Sequence, residues 1–129
     1  MSRNKNKRPA APWPAHSAKQ ERYIQPSILL GLLQRSSYGY ELIQTIQDYG
    51  FMEGPPPPGM IYRHLRNLEN DGLVCSEWET AGSGPAKRMY RITEEGTMVL
   101  ELWIGYMARQ VQNLERFIQR YRNMQDVPR

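Results

Sequence analysis

The sequence predicts a mainly α-helical protein that carries one small β-hairpin and ends in a long helix. Three observations predict this class. Apolar side chains repeat with the period of short helices up to about residue 72, a turn-forming segment then separates two strand-length runs, and apolar residues recur at alternating spacings of four and three beyond residue 94. With 129 residues, the chain is long enough for one domain with a modest core.

The first two helices are predicted from their apolar faces and end signals. Residues 24–35 form a predicted short buried helix, whose apolar positions are Ile24, Ile28, Leu29, Leu32 and Leu33. Ser36 and Ser37 are typical N-cap residues, and apolar side chains then fall on one face of residues 38–49. Because Gly50 suits the left-handed residue that follows a helix, we expect the second helix to end there.

A stiff proline-rich spacer precedes the third predicted helix. Four consecutive prolines in segment 54–59 remove backbone donors and favour an extended conformation. The spacing of apolar residues then predicts a helix from about Met60 to Asp71, closed by Gly72. On a helical wheel, Ile61, Leu65 and Leu68 centre on one side, and the opposite side carries Arg63, Arg66, Asn67 and Asn70.

A β-hairpin is predicted after the third helix. Residues 73–80 have strand length and include an aromatic, residues 81–85 are rich in glycine and end in proline, and residues 88–92 mix basic and apolar side chains as a strand does. Lys87 and Arg88 therefore stand beside a tight turn, where two adjacent cations suit a phosphate backbone. An ordinary solvated hairpin is the alternative.

The last predicted helix carries a heptad seam. Thr93 is a suitable N-cap, and about 30 residues follow it toward Met124. The seam consists of Leu100, Ile104, Met107, Val111, Leu114, Ile118 and Tyr121, and Trp103 and Phe117 flank it. Because one domain of this size cannot cover a helix of roughly 45 Å, we expect a second copy of the chain to pack there. Burial in the chain's own core is the alternative.

The order helix, helix, helix, hairpin, helix is the layout of a winged helix-turn-helix domain with an appended helix. The predicted division is a flexible basic arm (1–22), the winged domain (23–93), a dimerisation helix (94–125) and a tail (126–129). In such domains the third helix offers its exposed face to the major groove of double-stranded DNA. Arginine pairs with guanine and asparagine with adenine, so Arg63, Arg66 and Asn67 are predicted base contacts. The alternative is that this face is polar only because it meets solvent.

The net charge of +4 comes from the first residues rather than from the folded part. Residues 1–22 carry six basic groups against one acid, whereas residues 23–93 carry six against seven. A positive net charge by itself is weak evidence for nucleic-acid binding. DNA binding therefore depends on where particular side chains point, and the arm is either a solvated tail or a segment that follows DNA phosphates.

The sequence carries no pattern for catalysis, a metal or a cofactor. Neither His16 nor His64 has a partner at the spacing of a metal site or a catalytic triad. Cys75 is expected to be a small core residue. Because no catalytic pattern is found, we expect that the protein is not an enzyme. The chain has a single cysteine, no apolar signal segment and no run of about 20 apolar residues, so we expect a cytoplasmic protein without a membrane span.

Several segments together resemble the PadR family of transcriptional regulators. They are Tyr38 to Ile43, Gly59 to Val74, Ser76 to Glu79 and Arg88 to Gly96. The resemblance implies a homodimeric repressor that binds an inverted repeat, with Tyr40 and Tyr62 near the DNA backbone. Some relatives bind flat aromatic compounds between the two copies through a tryptophan on the last helix, and Trp103 stands in a comparable place, with Met107 as a second predicted contact. Simple dimer core is the alternative for Trp103.

The resemblance completes the predicted DNA-contacting set, which is Tyr38, Tyr40, Met60, Tyr62, Arg63, Arg66, Asn67, Lys87 and Arg88. In relatives a short polar turn usually precedes the third helix, whereas in this sequence four prolines precede it. Segments 49–51 and 76–86 are similar to polyhydroxybutyrate-responsive repressors, which implies that polymer or a small molecule as effector. The open alternative is a protein-interaction adaptor or a storage-granule-associated protein on the same fold.

Overall fold

The computed structural model describes residues 21–80, 82 and 84–125. Its elements are α1 (Ile24–Gln34), β1 (Ser37–Tyr38), α2 (Gly39–Tyr49), α3 (Pro58–Asn70), β2 (Val74–Glu79), β3 (Lys87–Ile92) and α4 (Glu94–Gln125). The order of helices and the hairpin agrees with the prediction from the sequence. Most of the predicted arm and the whole of the predicted tail lie outside the described residues, so those two predictions stay untested.

The sheet has three antiparallel strands instead of the predicted two. β3 lies in the middle, with β2 on one side and the two-residue strand β1 on the other. Ser37 pairs with Tyr90, and its Oγ donates to the carbonyl of Arg35 over 3.1 Å. The predicted serine N-cap is therefore wrong, because the sheet takes Ser37. Tyr38 caps α2 instead, and its backbone N–H donates to Glu41 Oε1 over 2.8 Å.

The third helix, α3, which is predicted to contact DNA bases, begins two residues earlier than predicted, at Pro58. Proline has no N–H, but the first residue of a helix needs none, so Pro58 fits there. The carbonyl of Pro57 accepts from Met60 N over 3.0 Å and from Ile61 N over 3.3 Å. Pro56 is fully buried, so the proline segment is also anchored to the domain.

The core lies where α1, α2 and α3 meet the sheet and the first part of α4. Its buried apolar residues are Ile24, Ile28, Leu29, Leu32, Leu42, Ile46, Ile61, Leu65, Leu68, Val74, Tyr90 and Leu100. Two predictions need correction. Leu33 is 49% exposed rather than buried, and Leu100 is only 4% exposed, inside the chain's own core rather than on a seam for a second copy.

The first part of the last helix, α4, packs against the head of the protein, residues 24–92, and the rest of the helix extends away from it. Thr93 Oγ1 accepts from Gly96 N over 3.0 Å, as the predicted N-cap requires, and donates to the carbonyl of Gly72 over 2.7 Å. A Cβ at Gly96 would stand 2.1 Å from the Leu73 carbonyl oxygen, so only glycine allows this approach. The helix has 32 residues, about 48 Å at 1.5 Å per residue. Every residue from Val111 to Gln125 is exposed.

Candidate nucleic-acid interface

The exposed face of α3 carries the side chains that the sequence predicts there. Ile61, Leu65 and Leu68 are fully buried. The opposite face is exposed and carries Arg63, Arg66, Asn67 and Asn70. This separation arises because residues spaced by three or four share one side of a helix. The result is a ridge of guanidinium and amide groups, the groups that pair with base edges in the major groove.

Arg63 is held by an acidic partner that sequence reasoning missed. Its Nη2 donates to Glu21 Oε1, which comes from just before α1. The neighbouring residue His64 accepts at Nδ1 from Gln25 Nε2 over 3.2 Å. Its Nε2 is buried without a hydrogen-bond partner in the described structure and lies 3.9 Å from Glu21 Oε1. Burial lowers the pKa of His64 below 6.5, the nearby Glu21 carboxylate opposes that shift and Arg63 adds to it.

An aromatic groove of about 360 Å³ lies beside this ridge, between α2, α3 and the hairpin. It is lined by Tyr38, Gly39, Tyr40, Tyr62, Trp78, Ala86, Lys87, Arg88 and Tyr90. The rings of Tyr38 and Tyr40 stack with centroids 5.6 Å apart and planes 8° apart. Lys87 Nζ lies 5.5 Å and 5.4 Å from these two centroids, at cation–π distance. The groove therefore presents a positioned ammonium at one wall.

The second hairpin cation, Arg88, is fixed by the sheet. Its guanidinium carbon lies 5.2 Å from the ring centroid of Trp78, and its Nε donates to Ser76 Oγ over 2.7 Å. Ser76 Oγ in turn donates to Glu69 Oε2 on α3 over 2.7 Å. The hairpin and α3 are thus joined through side chains, and neither Ser76 nor Trp78 is among the residues that sequence reasoning selected as sites.

Two tyrosines are set by close contacts. A Cβ at Gly39 would stand 2.4 Å from Tyr62 Cε1, so the glycine makes room for the Tyr62 ring. The Tyr38 hydroxyl donates to Glu79 Oε2 over 2.5 Å, and this hydrogen bond raises the pKa of Tyr38 above 10. Tyr40 and Tyr62 are exposed, as contacts to a nucleic-acid backbone require. Met60, predicted as a contact, is half-buried against the core.

The two predicted effector contacts lie in different clefts on α4. Trp103 lines a cleft of about 330 Å³ together with Arg22, Val99, Leu102 and Tyr106. Its ring meets those of Tyr23 and Tyr106 edge-on, with centroids 6.2 Å and 6.0 Å apart. Met107 lines a separate apolar cleft of about 210 Å³ with Leu100, Ile104 and residues of α1. Helical spacing alone did not separate these two positions.

Within the described residues, no helix is long and apolar enough to cross a membrane. The same residues contain no group of three or more His, Cys, Asp or Glu side chains that could hold a metal ion. Cys75 is a free cysteine of intermediate burial on β2.

The helices α1 to α3, a three-stranded sheet whose β2–β3 hairpin forms the wing, and an exposed polar face on α3 define a winged helix-turn-helix protein. Residues 28–102 match the family model described as "Transcriptional regulator PadR-like family". This match spans more than half of the chain. The protein therefore belongs to the PadR-like family of transcriptional regulators, which are not enzymes, and the resemblance drawn from the sequence is confirmed.

Individual relatives agree with this assignment. The chain is 32% identical over 92 residues to the Escherichia coli K12 protein named transcriptional regulator YqjI, and the match covers 70% of this chain and 41% of that protein. The chain thus spans less than half the length of this relative. A PadR family transcription regulator from Clostridium difficile R20291 has 25% identity and a TM-score of 0.66, covering 74% of this chain and 98% of that one.

The fold is also that of Bacillus subtilis PadR, whose structure was solved in complex with operator DNA. That structure has a TM-score of 0.57 and 23% identity, and the likeness covers 64% of this chain and 47% of that one.

Proposed function

We propose that this protein is a homodimeric repressor that binds an inverted-repeat operator, with α3 in the major groove and the β2–β3 hairpin over the sugar-phosphate backbone. We also propose that it acts in the cytoplasm. The proposal rests on membership of the PadR-like family and on the geometry of one surface.

The observation that carries the proposal is the junction of two surfaces. The helix α3 carries the exposed amide and guanidinium face, and its Tyr62 lines the groove in which Lys87 lies against two stacked tyrosines. The first surface suits base edges, because arginine and asparagine match the donor and acceptor patterns of guanine and adenine. The second suits phosphates, which position a protein on DNA without reading its sequence. One domain thus offers both kinds of contact side by side.

Dimerisation through α4 is supported by the exposed part of the predicted seam. Ile104, Val111, Leu114, Ile118 and Tyr121 are each between 45% and 61% exposed. They follow the alternating spacing of a coiled-coil seam, and such a stripe is stable in water when a partner helix covers it. A second copy would also place two recognition helices at successive major grooves, about 34 Å apart. The likeness in fold to a PadR protein solved with operator DNA supports the DNA-binding part of the proposal.

Effector binding at Trp103 and Met107 stays a prediction. Trp103 stands in a cleft with one cationic and several apolar neighbours, which would suit a flat aromatic compound. Similarity to polyhydroxybutyrate-responsive repressors also stays a prediction. Family membership gives no support to the adaptor or storage-granule alternative.

The test is to select bound fragments from a genomic DNA pool and to measure affinity at several salt concentrations. With about four phosphate contacts for each copy, log K is expected to fall with log[salt] at a slope of about −7. Arg63→Ala should relax the preference for one base pair, whereas Lys87→Ala should weaken binding to all sequences alike and reduce the slope by about 1 for each copy. A slope near zero on the selected fragment contradicts the proposal. Equal, sequence-independent losses from both variants would mean that α3 does not read bases.

A further inference from the structure

Arg63 lies on the exposed face of α3, yet a carboxylate from outside that helix holds its guanidinium. The Arg63 and Glu21 side chains remain 53% and 31% exposed while they form the ion pair. Because both side chains are partly solvated, the pair adds little to the free energy of unfolding. Its main consequence is that the guanidinium has a defined position before any ligand arrives.

The start of α1 lies against α3 close to Glu21. Gln25, in the first turn of α1, donates to His64 Nδ1 over 3.2 Å. Glu21 lies one helical turn before Gln25, and its Oε1 is 3.9 Å from His64 Nε2. Two consecutive α3 residues, Arg63 and His64, are therefore engaged by two side chains near the start of α1. The Glu21 carboxylate therefore stands beside Arg63 on the exposed side of α3.

A carboxylate beside Arg63 changes which DNA groups the arginine can approach. A guanidinium has five N–H donors, so one donated to Glu21 leaves enough for both the O6 and N7 of a guanine. A phosphate carries a full negative charge and would be repelled by Glu21, whereas a guanine edge is neutral. The pair therefore favours a base edge over the backbone. Arg66, also exposed on this face, has no carboxylate partner within the part of the chain that the structure describes.

We propose that Glu21 is a specificity-determining residue, which positions Arg63 for a guanine edge and keeps its guanidinium away from phosphates. This inference rests on the proposed function, because it assumes that α3 enters the major groove. Glu21 acts through Arg63 and need not contact DNA.

The experiment selects duplexes from a random DNA library with the full-length wild-type protein and then measures the affinity for the selected duplex and for a scrambled one. For Glu21→Gln we expect the ratio of these affinities to fall about tenfold for each copy, as the loss of one guanine-reading pair in each half-site predicts. Affinity for the scrambled duplex should rise severalfold, and its salt slope should steepen by about 1 for each copy as Arg63 turns to phosphate. Glu21→Asp, which keeps the charge, should restore part of the ratio.

Matched controls separate this role from a general change of charge or fold. Glu77→Gln removes the same charge from an exposed pair with Arg91, whose nitrogen and oxygen lie 3.5 Å apart on the sheet, and should leave the ratio within about twofold of wild type. In an Arg63→Ala background, Glu21→Gln should no longer change the ratio. Thermal unfolding of the variants should match wild type.

Two results would overturn the inference while leaving the proposed function intact: an unchanged ratio for Glu21→Gln, or the same fall in the Arg63→Ala background. If the wild-type protein enriches no sequence at all, the proposed function fails first and this inference fails with it.

Discussion

The head of the protein buries its apolar side chains, whereas the distal half of α4 exposes them. In the head, residues 24–92, three helices and a sheet surround one core in which Ile61, Leu65 and Leu68 of α3 are fully buried. From Val111 to Gln125, α4 is exposed on every side. Hydrophobic burial within the chain can therefore stabilise the head, whereas residues 111–125 gain little such stabilisation from the described chain.

This difference fits the two proposed tasks, DNA reading by α3 and assembly through α4. The exposed face of α3 is polar and is positioned by intramolecular contacts, which suits a rigid reader. Distal α4 carries an exposed apolar stripe that includes Val111, Leu114 and Ile118, which suits assembly.

The largest effect is expected in the head. Leu65→Ala removes a fully buried side chain of α3 from the core, and we expect a loss of about 2–5 kcal/mol in the free energy of unfolding. Urea denaturation followed by tryptophan fluorescence measures it. The neighbouring exposed variant Arg66→Ala should change stability by less than about 0.5 kcal/mol. Similar losses of unfolding free energy for both variants would contradict the assignment of Leu65 to a buried face and Arg66 to an exposed face of α3.

The next effect concerns assembly. Val111→Lys combined with Leu114→Lys places two charges on the proposed seam, and we expect a monomer in sedimentation. Affinity for an inverted-repeat duplex should fall by about 100-fold, because the two heads are no longer linked. Cooperative unfolding of the head should persist.

The matched control for the seam is Gln112→Lys combined with Asn113→Lys, which adds the same charge on the opposite side of α4. This variant should sediment as a dimer. If the Val111 and Leu114 variant is a stable dimer, the seam is not the dimer interface. If the wild-type protein is a monomer, the dimer proposal itself is wrong.

The smallest expected effect is a pH dependence of stability that comes from His64, at the contact between α1 and α3. Because burial lowers the pKa of His64 in the folded state, the unfolded state binds more protons between that pKa and about 6.5. The stability that neutral His64 contributes is complete above about pH 6.5 and is lost as the pH falls toward the folded-state pKa. We expect the urea midpoint to decrease from pH 7.5 to pH 5.5. His64→Gln should decrease less over this range, and an equal decrease in both proteins would exclude His64 as the source.

Local sequence signals account for much of what was predicted correctly. The 3.6-residue period separates Arg63 from Leu65 without any knowledge of the rest of the chain, because the geometry of a helix alone determines which residues share a face. Gly50 and Gly72 have φ of +78° and +76°, as expected for glycines that follow helices. Family motifs then supplied the regulator class, which the family match confirms. The contacts of individual residues with DNA or a second copy stay predictions.

By itself, the sequence determined the helical segments, the hairpin, the two faces of α3 and the family, because each follows from nearby residues or from recognisable motifs. Only the tertiary structure decided the pairing of Ser37 with Tyr90, the burial of Leu100 and the ion pair between Glu21 and Arg63. In the two pairs, residues 53 and 42 positions apart meet. Such contacts depend on how elements pack, and periodicity along one element carries no information about the residue that faces it.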